Sequence, residues 1–220
     1  MAHGFFVTGT DTGVGKTVVA SALLRAYVRS GVRAVGMKPV AAGCTLSNGR
    51  WINDDVENLR NASNVEAPDS EINPYVFRDP IAPHLAARAQ GIRIDLPTLV
   101  SRYRTLAARA DVVIVEGAGG FLVPLNDEES FADLAAMLAL PVVLVVGMRL
   151  GCINHALLTC EAIERRGLVL AGWVANRVVQ DMDRYEENAA TLRSRLQAPL
   201  LAEIPYRPGS HVDLAALRLP

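Results

Sequence analysis

Gly9-Thr10-Asp11-Thr12-Gly13-Val14-Gly15-Lys16-Thr17 decides how this chain is read. The apolar run Phe5-Phe6-Val7 precedes it, and Val18-Val19-Ala20 opens a helical pattern behind it. Strand, glycine-bearing turn, Gly-Lys-Thr and helix, in that order, form the context of a phosphate-binding loop. Free N–H groups of the turn and of the first helical turn face an anion, and the helix dipole adds to the attraction. The residues 13–18 (Gly13, Val14, Gly15, Lys16, Thr17 and Val18) are therefore the expected phosphate cradle. Lys16 is expected to reach the β- and γ-phosphates and the Thr17 hydroxyl to meet Mg²⁺. The spacing is irregular: the usual first glycine of the pattern falls on Thr10, and Gly9 stands one residue earlier. A βα turn with a surface lysine is the plain alternative.

From this loop outward, strand-like and helical patterns alternate. Strands are expected at 5–8, 34–38, 111–116, 141–147, 169–176 and 200–204. Helices are expected at 16–30, 96–109, 131–138, 152–166 and 184–196, with two short ones near 54–60 and 83–90 inside a less regular stretch, 41–94. The run Val112-Val113-Ile114-Val115 is apolar on both faces, as in a buried parallel strand. This alternation predicts an α/β fold: a mostly parallel central sheet with helices on both faces, a three-layer P-loop NTPase-like sandwich. The 220 residues suit one domain, 1–220, with no internal repeat.

Composition excludes several classes. A formal net charge of -1 offers no footprint for nucleic acid. The longest apolar stretch, 138–147, is too short to span a bilayer and contains Pro141, so no membrane partner is expected. The N-terminal Met1-Ala2-His3-Gly4 runs directly into the first strand, which leaves no room for a signal peptide. Cys44, Cys152 and Cys160 form neither a metal-ligand spacing nor a disulfide framework, and a reducing cytoplasm is the expected location.

In open parallel sheets, ligands bind at the carboxyl ends of the strands. Glu116 ends one strand before Gly117-Ala118-Gly119-Gly120; a carboxylate there suits the Mg²⁺ of a phosphate loop, and the glycines allow close backbone approach. Lys38 ends another strand, where it either holds an anion or is simply solvated. In Asn53-Asp54-Asp55, Asn53 or Asp54 caps a short helix or a carboxylate reaches Mg²⁺; both readings stand. Gly151-Cys152-Ile153-Asn154 opens a helix whose free N–H groups form a second anion site. Cys152 reads as a small buried residue and not as a nucleophile. The Asn176 amide, donor and acceptor together, suits an adenine edge or an ordinary turn. His84 follows Pro83 at a helix start and receives no catalytic role.

These segments resemble the dethiobiotin synthetase family. The similarity lies in 6–17, Lys38-Pro39-Val40, Asn73-Pro74-Tyr75, Pro83-His84, 115–120, 150–156, 171–176 and Glu203-Ile204-Pro205, and it extends to about residue 207. It implies a homodimeric, ATP- and Mg²⁺-dependent ligase that closes a ureido ring on 7,8-diaminononanoate and CO₂. By the same resemblance Lys16 and Lys38 are catalytic, and Thr17, Asp55 and Glu116 hold the metal. Gly117, Ala118, Gly119, Asn176, Arg177, Pro205, Tyr206 and Arg207 contact the nucleotide. Thr12, Lys38, Gly151, Cys152, Ile153 and Asn154 contact the substrate, the last four across the dimer interface. Ala42 stands where some members carry a contacting Ser, and Gly13 where some carry an acid. Partner-switching ATPases are the competing class; they carry a lysine early in this loop, where this chain has Asp11.

Overall fold

The computed structural model describes residues 3–206 and 219–220. In chain order the first elements are β1 (His3–Gly9), α1 (Lys16–Arg29), β2 (Ala34–Met37), β3 (Val40–Ala41), β4 (Thr45–Ser47) and β5 (Arg50–Ile52). They are followed by α2 (Asp54–Ala62), α3 (Asp69–Ile72), β6 (Tyr75–Val76), α4 (Pro83–Ala89), α5 (Leu96–Ala107) and β7 (Val112–Gly120). The chain then forms α6 (Phe131–Leu138), β8 (Val142–Met148), α7 (Cys152–Arg165), β9 (Leu170–Arg177), α8 (Tyr185–Arg195) and β10 (Leu200–Ile204).

Six strands build one parallel sheet in the order β10-β9-β8-β1-β7-β2. The chain runs from β1 to the β2 edge, returns to β7, crosses β1 to β8 and continues to the β10 edge. Because successive side chains of a strand point to opposite faces, the apolar runs feed two cores at once. Val7, Val112 and Ile114 pack with Leu23 and Leu24 of α1 and Leu59 of α2. Phe6, Val113 and Val115 pack with Leu99 and Leu106 of α5 and Phe131 of α6. On that second face, Leu144, Val146 and Trp173 pack against α7 and α8. Leu23 and Leu24 are fully buried, each worth roughly 1.5–3 kcal/mol of transfer free energy. The expected α/β three-layer arrangement is present.

Three differences from the sequence reading bear on the site. The strand expected to stop at Glu116 continues as β7 to Gly120, because Gly9 pairs with Gly120 after a register shift. Gly117, Ala118, Gly119 and Gly120 are thus strand and not a free loop. Within 41–94, β3 and β6 form a two-residue parallel pair, and β4 and β5 form a hairpin across Asn48-Gly49, whose φ values are 51° and 77°. Among the described residues no helix is long and apolar enough to cross a membrane.

Candidate functional site

The loop between β1 and α1 is pinned to its surroundings through its backbone. Thr10 N–H donates to Val145 O at 3.0 Å, and Gly147 N–H donates to Thr10 Oγ1 at 3.1 Å. Gly15 has φ 91°, and a Cβ there would lie 2.3 Å from Asn176 Nδ2. Only glycine fits both the left-handed backbone and that approach. Asn176 in turn donates through Nδ2 to Val14 O at 2.8 Å, so one amide ties the end of β9 to the loop.

Charge gathers beside the phosphate loop, just past β2 at Lys38, within β7 at Glu116 and in the first turns of α1 and α2. The Thr17 hydroxyl donates to Asp55 Oδ1 at 2.6 Å or to Glu116 Oε1 at 2.8 Å, having one proton to share. Lys38 Nζ donates to Asp55 Oδ2 at 2.8 Å, to Glu116 Oε1 at 2.6 Å and to Gly117 O at 3.3 Å. Lys16 Nζ donates to Asp11 O at 3.0 Å. Burial, then the Lys38 charge, pushes the Lys16 pKa down to about 8 against the attraction of Glu116 and Asp55. For Lys38 burial acts in the same direction, but Glu116 and Asp55 overcome it and its pKa is raised, so the ammonium stays charged. Burial raises the Glu116 carboxyl against the opposing pull of Lys38. The Asp55 carboxyl is held below its ordinary range, because Lys38 outweighs its burial.

These groups open on a cavity of about 690 Å³. One wall is polar, with Lys16, Thr17, Lys38, Asp55 and Glu116; another is largely apolar, with Val40, Ala42, Ile81, Pro83 and Val123. Thr12 lines it as well. The oxygen set fits a Mg²⁺ ion. Thr17 and two carboxylates are hard donors, and Glu116 Oε2 is buried with no hydrogen-bond partner among the described residues. No group of three or more His, Cys, Asp or Glu suited to a metal occurs among the described residues. Two carboxylates suffice for Mg²⁺, which keeps waters and phosphate oxygens in its shell.

Thr12, Gly13, Gly15, Lys16, Thr17, Val18, Lys38, Asp55, Glu116, Ala118 and Gly119 all line this cavity, and Val14 and Gly117 are held beside it by the bonds above. Asn176 meets the loop from behind. Arg177 stacks over the Tyr185 ring, 3.6 Å from its centroid. Pro205 and Tyr206 follow β10 and are exposed; Arg207 lies outside the described residues. Gly151, Cys152, Ile153 and Asn154 do not line the cavity of their own chain. Gly151 caps α7 with φ 95°, the Cys152 side chain is buried, and the Cys152 amide donates to Arg149 O at 3.0 Å. The N–H groups of Ile153 and Asn154, in the first turn, have no carbonyl of their own helix to meet.

Three residues enter that sequence reasoning had not assigned to the site. Asn73, 7% exposed, donates through Nδ2 to Lys38 O at 2.7 Å and to Tyr75 O at 3.1 Å. Its position before Pro74, just past α3, was the available signal. Asp11 pairs with Arg149 across 138 positions, which no local pattern reveals. Of the two readings left open at 53–55, the capping one is seen: Asn53 caps α2, while Asp55 turns to Thr17 and Lys38.

A family model described as an AAA domain matches residues 3–211. The ATP-dependent dethiobiotin synthetase BioD of Aromatoleum aromaticum is 53% identical over 220 residues, 99% of this chain and 98% of that protein. The protein of the same name from Nitrosospira multiformis is 56% identical over 206 residues, 94% of this chain and 89% of its own. Among solved structures, the septum site-determining protein MinD with Mg-ADP from Pyrococcus horikoshii superposes with a TM-score of 0.58 at 16% identity, covering 93% of this chain and 82% of that one. A ParA family ATPase from Chlorobium tepidum gives a TM-score of 0.59 at 14% identity, covering 94% and 86%. At such identities the structural likeness speaks for the P-loop fold alone. The near-full-length relatives decide the family: the chain belongs to the ATP-dependent dethiobiotin synthetases, ligases of biotin biosynthesis.

Proposed function

We propose that this chain closes a ureido ring, converting 7,8-diaminononanoate, CO₂ and ATP to dethiobiotin, ADP and phosphate. The observation that carries this reading is the meeting of Lys16, Lys38, Thr17, Asp55 and Glu116 beside one cavity with a largely apolar wall. That wall, Val40, Ala42 and Val123 among it, suits the methylene chain of the substrate. One amine adds to CO₂, forming a C–N bond and releasing a proton to solvent. The resulting carbamate is an anion, and Lys38, whose raised pKa keeps it cationic, neutralises it. A carbamate oxygen takes the γ-phosphoryl group as ADP leaves. The second amine then attacks the carbamoyl carbon; the ring C–N bond forms, the C–O bond to phosphate breaks, and the amine proton leaves with the phosphate.

Lys16 binds and orients the phosphates, and the loop amides hold them. Mg²⁺, held by Thr17, Asp55 and Glu116, would supply neutralisation of the phosphoryl charge. Asn176 Nδ2 is engaged by Val14 O, which leaves Oδ1 to accept from an adenine amino group. Arg177, Pro205, Tyr206 and Arg207 complete the nucleotide side. Gly151, Cys152, Ile153 and Asn154 serve the substrate carboxylate of a partner subunit, in keeping with their distance from the cavity of their own chain. Residues 1–220 act as one unit in a cytoplasmic homodimer; the three unpaired thiols suit a reducing compartment. Omitting the diamine, CO₂, ATP or Mg²⁺ in turn from an assay of dethiobiotin and phosphate tests the proposal. Each omission is expected to abolish both products; phosphate release without the diamine would overturn it.

A further inference from the structure

Asn53 uses both ends of its amide. Oδ1 accepts from Asp55 N–H at 3.1 Å and from Val56 N–H at 3.4 Å, which caps α2 and fixes the turn bearing Asp55. Nδ2 donates to Ala42 O at 3.3 Å. The segment that includes Val40 and Ala42 contributes to the apolar lining, and Asn53 lines the same cavity. The segment is already tied to residues 75–77, where Phe77 N–H donates to Ala41 O at 2.8 Å and Cys44 N–H to Phe77 O at 3.0 Å. Asn53 adds a tie from the start of α2. Asp55, two residues on, receives Thr17 and Lys38.

We propose that Asn53 is a positioning residue for the reaction: its amide is a strut that holds the substrate wall at Ala42 in register with the helix carrying Asp55. This deepens the proposed function and rests on the diamine lying against that wall. The chemistry demands an amide. A serine caps a helix as well as an asparagine does, but it is too short to donate across to Ala42 O. An aspartate caps and cannot donate, and it would add charge beside Asp55. An alanine does neither. Small displacements of groups that position a substrate cost affinity and rate although those groups take no part in bond making.

The test compares N53S with N53A in the full-length protein. Losing one net hydrogen bond predicts for N53S a rise in KM for the diamine of about 3–10-fold, with kcat and KM for ATP within about twofold of the parent. Its melting temperature without ligands falls by about 1–5 °C, less than that of N53A. N53A, lacking the cap, loses kcat and thermal stability as well. An unchanged diamine KM in N53S overturns the proposal. An equal rise in both KM values, or a melting temperature as low as that of N53A, reduces Asn53 to a helix cap and also overturns it. Hydrogen exchange without any ligand reads the strut directly. The 42–44 amides of N53S should exchange faster while those of α2 stay protected, and equal protection of 42–44 refutes the strut. Should the parent protein form no dethiobiotin, the proposed function falls, and the exchange comparison still decides the strut.

Discussion

Lys38→Met is the most informative single change, because it separates a buried ion pair from a solvated lysine. The Lys38 side chain is 4% exposed and the Glu116 side chain 0% exposed, with 2.6 Å between Nζ and Oε1. Removing one partner of such a pair strands the other charge, which costs about 3–5 kcal/mol. Glu116 keeps only the Thr17 hydroxyl, and its Oε2 already lacks a partner. Asp55 also loses Lys38, but its side chain is 41% exposed and water compensates it, so this loss adds little. Glu116 has one escape, which is to take up a proton. Burial already raises its carboxyl pKa, and losing Lys38 raises it further. A group whose pKa is raised on folding stabilises the fold below its unfolded pKa and loses that contribution as pH rises through the folded value. The deficit of Lys38→Met is therefore largest at neutral pH and shrinks toward pH 5. Adding Glu116→Gln removes the stranded charge and should bring stability back to within about 1.5 kcal/mol of the parent. Urea unfolding without nucleotide or Mg²⁺, at two pH values, measures all of this. A single variant within about 1 kcal/mol of the parent at pH 7, or a double variant no better than the single, would refute the buried pair.

Gly15→Ala places a methyl 2.3 Å from Asn176 Nδ2 at φ 91°. Backbone strain of about 1–2 kcal/mol plus the lost Asn176–Val14 bond, about 1 kcal/mol, should appear in denaturant unfolding, with ATP affinity falling in calorimetry. Asn73→Ala takes the buried Nδ2 donor away from the Lys38 carbonyl, and a second donor from that of Tyr75, and should cost about 1–3 kcal/mol in the same unfolding measurement. The Cys160 thiol is pushed up to about 11 by burial and then by Glu164. A raised folded-state pKa gives stability that is present below the unfolded value and lost as pH rises through the folded one. Cys160→Ser should therefore flatten the fall in Tm between about pH 9 and 11; a profile parallel to that of the parent would count against the buried thiol.

The sheet was legible because burial on both faces writes itself as unbroken apolar runs, as in 112–115 and 142–146. What the sequence hid were elements defined by single long-range pairings. The continuation of β7 to Gly120 depends on Gly9, and the β3–β6 pair is two residues long, below any period. The hairpin around Asn48-Gly49 carried a turn signal, but its strands are mostly exposed and lack alternation. In the site, motif residues were readable because a phosphate loop constrains spacing. The Asp11–Arg149 pair was not, because only folding brings its members together; Asn73 stood in the Asn73-Pro74-Tyr75 segment, but its bond to Lys38 O could not be read there.

The transfer of a phosphoryl group to a carbamate is tested most directly by oxygen tracing. A pulse of C¹⁸O₂ given with the diamine, ATP and Mg²⁺ in ordinary water should put one ¹⁸O atom into phosphate and one into the dethiobiotin carbonyl. Phosphate free of ¹⁸O, released whether or not the diamine is present, would contradict the account.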